Sequence, residues 1–165
     1  NHVMLWDAKK TERVNVVLRG RLFFLQNNFE VFVDFGVVGT KGYTFEGPFY
    51  LDRWGNITGW DEKREEHAKK LVTREMERLR ESFRQAEAAG YRKFILFLHY
   101  PPTNILEETS PFTEIAEEYK VSAVVYSHCH GESRFGDSIR GMYHGIPYML
   151  VSGDYLNFRP AMGLP

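Results

Sequence analysis

A chain of 165 residues with 43% apolar and 26% charged side chains fits one ordinary globular domain with a substantial core, not a disordered or fibrous polypeptide. Its 21 Lys and Arg stand against 22 Asp and Glu, so no net field draws it to nucleic acid or to an anionic membrane. The one cysteine, Cys129, precludes an internal disulfide, and no apolar run approaches the roughly 20 residues of a membrane helix, so a cytoplasmic location is expected. The sequence opens on Asn1 with no signal-like segment, and its natural start is expected to lie elsewhere.

In chain order, "LFFLQNNFEVFVDFGVVGT" (Leu22 to Thr40) reads as strand, turn, strand, with Asn27-Asn28 as the tight-turn pair. Lys41 to Gly59 has no steady period and many Gly, Pro, Asn and aromatic residues, so it reads as a long loop. Asp61 to Ala89 is the clearest helix. Asp61 caps it, and Ala68, Val72, Met76, Leu79, Phe83 and Ala86 form one apolar stripe. Gly90 stops it. "YRKFILFLH" is a strand buried on both faces. Pro111 to Tyr119 is a short helix with Phe112, Ile115 and Ala116 inward, and "VSAVVYSH" is a second buried strand. Strand, helix, strand at this spacing is a βαβ unit, hence an α/β fold with a partly parallel sheet. "MYHGIPYMLVSGDYLNF" reads as a hairpin turning at His144-Gly145, then a last strand that carries Asp154.

Two of the buried strands end in histidine. His99 closes "FILFLH", and His128 and His130 close "VVYSHCH". Ligands of open α/β sheets bind at the carboxyl ends of strands, so three imidazoles are expected at one crevice. Neutral imidazole suits zinc, iron, manganese or nickel, and two histidines on a turn can serve two ions a few ångströms apart. The plainer alternative is a set of hydrogen-bonded surface histidines. His67, in the long helix, and His144, in the hairpin turn, read as surface residues. Asn1 and His2 gain meaning beside this pattern: an Asn oxygen can ligate a hard or borderline cation, and a neighbouring His can act as acid or charge stabiliser. A nucleophilic Cys129 would need a defined base and an oxyanion site, and a Ser127-His128 hydrolase lacks the G-x-S-x-G elbow.

"NHV" at Asn1 to Val3, "LHYPP" at Leu98 to Pro102 and "SHCHG" at Ser127 to Gly131 together resemble the calcineurin-like metallophosphoesterase family. Its ordered motifs are D-x-H, G-D-x-x-D, G-N-H-[D/E], a strand-end H and G-H-x-H, and the chain carries the last three in order. It looks most like a bacterial-type branch of predicted phosphohydrolases with "LHYPPTN", "GFTE", "VVYGHLHG" and "VSCDYLDFKP"; "PFTE" and "VSGDYLNFRP" are the counterparts here. The likeness spans nearly the whole chain and is loosest in the first twenty residues and in Phe45 to Gly59.

The resemblance implies part of a four-layer αββα sandwich, with residues 1–165 forming the C-terminal portion of one metallophosphoesterase domain. It implies two divalent ions (manganese, iron or zinc). Asn1, His99 and His128 would bind one ion and His130 the other. His2 would stabilise charge or protonate the leaving oxygen while a metal-bridging hydroxide attacks phosphorus in line. Asp154 is a candidate for orienting a ligand histidine; the alternative is a plain turn carboxylate. The chain departs from the family at Val3, where an acidic residue is usual, and at Ser127, in place of glycine. D-x-H and G-D-x-x-D do not occur ahead of "NHV", so the 165 residues alone are expected to be inactive or nearly so; the alternative is a non-catalytic metal-binding or interaction module. Near-neutral charge favours a small phosphate ester over nucleic acid as substrate. The aromatics of the Lys41 to Trp60 loop either wall the cleft or pack under the long helix.

Overall fold

The computed structural model describes residues 23–43, 62–105 and 109–161. Asn1, His2, most of the aromatic loop and the expected cap Asp61 lie outside the described residues. Within them the chain is α/β. Six strands, β1 (Phe29–Phe32), β2 (Phe35–Thr40), β3 (Lys93–Leu98), β4 (Ala123–Tyr126), β5 (Gly141–Tyr143) and β6 (Ile146–Leu150), form one mixed sheet in the order β1-β2-β3-β4-β6-β5. β2, β3, β4 and β6 run parallel, and an antiparallel strand closes each edge.

Among the described residues, three helices accompany the sheet: α1 (Glu62–Ala88), α2 (Pro111–Glu118) and α3 (Glu132–Gly136). β3, α2 and β4 are the expected βαβ unit, and β3 pairs β4 in parallel. The alternation of side chains along each strand splits the sheet's residues between two clusters. Val38, Leu96, Val124 and Tyr148 stand in register across four strands and share a buried cluster with Leu79, Phe83 and Ala86 of α1 and Phe112, Ile115 and Ala116 of α2. Ile95, Ala123 and Val125 form a smaller cluster with Phe35, Phe97, Met149 and Val151. The continuous apolar runs of β3 and β4 are thus explained, because consecutive residues belong to different buried clusters.

The apolar stripe of α1 is buried from Leu79 to Ala86, and Phe83 stacks on Tyr119 at 3.9 Å while meeting Phe94 edge-on at 5.2 Å. Full burial of a side chain as large as Phe83 contributes about 2–3 kcal/mol. Gly90, at φ 96, ends the helix: its amide donates to Glu87 O, and the Tyr91 amide donates to Ala86 O. That paired closure needs a left-handed residue, and glycine adopts it without strain. Ser110 and Thr113 form a reciprocal capping box at the start of α2.

Two expectations about turns need correction. The first hairpin turns at Val33-Asp34, not at Asn27-Asn28: Phe32 pairs with Phe35, and Asn28 instead folds its side chain onto the Gln26 amide and the Phe24 carbonyl. Burial and pairing override local turn preference, since this register sets Val38 in the core opposite Phe29. Asp154 lies beyond β6, in a turn held by Leu156 N to Ser152 O and Phe158 N to Gly153 O hydrogen bonds, rather than on the strand. The second hairpin turns at His144-Gly145 as expected, with φ 48 and 80. Positive φ at both central residues is the arrangement that matches strand twist.

Candidate metal centre

The parallel register aligns the carboxyl ends of four strands. Thr40, Leu98 and Tyr126 are level on β2, β3 and β4, and Tyr126 is level with Leu150 of β6. The next residues leave the sheet but remain joined, through Tyr100 N to Lys41 O, Ser127 N to His99 O and Val151 N to Tyr126 O. His99 and Ser127 are therefore delivered side by side by the sheet itself.

His128 Nδ1 lies 3.1 Å from His99 Nε2, and both rings are half-buried. The Ser127 hydroxyl lies 3.3 Å from His99 Nδ1, so both nitrogens of that ring are engaged. Tyr100 flanks the pair, its ring centroid 4.9 Å from that of His99 and 4.4 Å from that of His128. Lys41 Nζ sits 6.0 Å from the Tyr100 ring centroid. A cleft of about 370 Å³ opens beside them, lined among others by Phe23, Leu25, Thr40, Phe97, His99 and Ser127.

The segment carrying the histidine pair has an unusual backbone. The Cys129 amide donates to Ser127 O at 2.8 Å across His128, whose φ is 66. This is a γ-turn of the rare, strained hand. The left-handed residue is thus His128, and Ser127 is not among the residues with positive φ. Strain of this kind persists where the surroundings fix a side chain's direction. Here it turns His128 toward His99 while Cys129 goes into the core, 1% exposed. Burial pushes the Cys129 thiol above its ordinary value, which makes a poor nucleophile.

His130 stands apart from the pair. Its side chain is 67% exposed, and Nδ1 lies 2.9 Å from Asp154 Oδ1. The same carboxylate accepts from the Gly131 amide at 2.9 Å and from the Tyr155 amide at 3.0 Å. These donors, the Gly131 amide first, hold the Asp154 carboxyl below the usual carboxylate range. The structure therefore brings His99 and His128 together and gives His130 a separate anchor. His144 pairs with Glu117 on the surface at 2.7 Å, away from this edge, and His67 is exposed on α1.

The 3.1 Å contact is of hydrogen-bond length, the plainer alternative for these histidines, and it also lies near the spacing of two ligands on one ion. Metal–imidazole bonds of about 2.0–2.1 Å at a tetrahedral angle set ligand nitrogens about 3.3 Å apart. The observed 3.1 Å is close to this. Among the described residues, no group of three or more His, Cys, Asp and Glu is placed to hold one ion, so the pair alone is an incomplete set.

Sequence reasoning missed three contributors. Tyr100 follows His99 directly, and its contact with both rings had no separate signal. Ser127 entered only as a nucleophile and as a departure from glycine, not as the partner of His99 Nδ1. Glu75, which drew no separate reading, is 1% exposed: it accepts from Thr40 Oγ1 and pairs with Arg74 and Arg78 at 3.0 and 2.7 Å. An acidic residue one position before Met76 of the stripe was the available clue. No protein-family model, curated protein or solved structure matches this chain.

Proposed function

We propose that this chain supplies strand-end histidines to a dinuclear metal centre that hydrolyses phosphate esters. The observation that carries the reading is the His99 Nε2 to His128 Nδ1 spacing of 3.1 Å at the carboxyl edge of a mostly parallel sheet. His99 and His128, with Asn1, would hold one divalent ion, and His130 would serve the second. Manganese, iron and zinc all suit this donor set. When bound, two such ions activate water and neutralise phosphoryl oxygens. The chain's own part is to orient the ligand rings and to hold a proton at His2 for the leaving oxygen. The mixed sheet with α1 and α2 packed on it would be one half of a four-layer αββα sandwich. A small phosphate ester, reached from the cleft beside His99, is the substrate class that near-neutral charge favours over a long polyanion.

The test is metal analysis of the purified protein together with hydrolysis of phosphate mono- and diesters, before and after chelation and manganese addition. Bound metal with metal-dependent turnover supports the reading. Bound metal without turnover favours a non-catalytic metal-binding module, and absence of both overturns the proposal.

A further inference from the structure

We propose that Asp154 is the positioning residue for His130, fixing its ring as the Nδ1–H tautomer and leaving Nε2 as the bare, outward nitrogen. An ionised carboxylate only accepts hydrogen bonds, so the 2.9 Å contact between Asp154 Oδ1 and His130 Nδ1 requires the proton on Nδ1. In the neutral ring Nε2 then carries the lone pair. Asp154 is held in turn: Oδ2 accepts from the Gly131 amide and Oδ1 from the Tyr155 amide, at 2.9 and 3.0 Å. The carboxylate therefore ties the segment after β4 to the turn after β6, two pieces of chain 24 residues apart. Four polar groups meet in this clamp, and His130 Nε2 is the ring nitrogen it leaves unused. A ligand histidine whose other nitrogen donates to a carboxylate is more basic and better oriented. That consequence rests on the metal-centre reading; the tautomer assignment does not.

Proton–nitrogen correlation spectra of the ¹⁵N-histidine-labelled protein, without metal and near about pH 9 where an imidazole is ordinarily neutral, read the tautomer directly. The expected result is a majority Nδ1–H form for His130 in the wild type. Asp154→Ala shifts it to the Nε2–H form that unconstrained histidine favours, and Asp154→Asn shifts it in the same direction with less disruption. Zinc affinity falls about 10–100-fold in both variants. A residue with only a structural role would lower the melting temperature without changing the tautomer ratio. A majority Nε2–H form in the wild type, or a ratio unchanged in both variants, overturns the proposal. A shifted ratio in a protein that binds no divalent ion sustains the positioning role and refutes the metal centre instead.

Discussion

His128 Nδ1 and His99 Nε2 lie 3.1 Å apart, presented by the carboxyl ends of two adjacent parallel strands. Different nitrogens of the two rings face each other because the rings arrive differently. His99 leaves β3 directly, with Nδ1 toward Ser127, whereas His128 is turned back by the γ-turn beneath it.

If both rings serve one ion, their losses are coupled. His99→Ala and His128→Ala should each weaken zinc or manganese binding by at least the about 10–100-fold that loss of an outer-sphere partner costs. The double variant should lose clearly less than the sum of the two free-energy changes, because the second ligand has little left to hold. Isothermal titration of the four proteins measures this. Strict additivity would mean two independent sites.

The backbone at residue 128 makes a separate demand. His128→Gly and His128→Ala both remove the imidazole, but only glycine relieves the left-handed φ of 66. The glycine variant should be more stable than the alanine variant by about 1 kcal/mol, the reverse of the usual order in regular structure. Urea denaturation decides it; an alanine variant of equal or greater stability would show that the turn is unstrained.

Glu75 anchors α1 to the carboxyl end of β2. Its carboxylate is buried and serves Thr40, Arg74 and Arg78, and Thr40 lines the cleft beside His99. Glu75→Ala should cost about 2–4 kcal/mol, since it removes the acceptor of the Thr40 hydroxyl and a carboxylate partner of the mostly buried Arg78. The check is equilibrium denaturation, and a loss under 0.5 kcal/mol would contradict the anchoring role.

Arg80 of α1 and Glu118 of α2 pair across the two helices at 2.8 Å, both well exposed. The Arg80 hydrogen bond holds the Glu118 carboxyl below its ordinary value. A lowered folded-state value means the stabilisation is present above the ordinary glutamate range of about 4.3 and fades as pH falls through the lower folded value. Arg80→Ala should therefore cost no more than about 1 kcal/mol at neutral pH, and less as pH falls below the ordinary glutamate range. Denaturation at neutral and at acidic pH tests this, and a difference that grows on acidification would contradict it.

The long helix, the βαβ unit and the second hairpin were legible because each rests on a local signal. α1 repeats its apolar residues at helical spacing, β3 and β4 are unbroken apolar runs, and His144-Gly145 is a left-handed turn pair. The first hairpin was misread because "QNN" carries turn chemistry while Val33, the residue that turns, is β-branched and has φ 56. Only the pairing of Phe29 with Val38 reveals the register, and that is a long-range fact. At the site, the strand-end positions of His99 and the histidine pair followed from the runs that precede them. The partners followed less evenly: Asp154 was a candidate for orienting a ligand histidine only through the resemblance, and the turn after β6 sets it on His130, whereas Ser127 beside His99 is brought in by strand order and left no signal in the spacing along the chain.

The most direct measurement of the central claim is turnover of a phosphate ester followed in step with manganese added to the chelator-treated natural full-length protein, wild type and His128→Ala. The account predicts turnover that rises with bound manganese in the wild type and is lower by about 100-fold or more in His128→Ala. Turnover that is absent at full manganese occupancy, or equal in the two proteins, would contradict it.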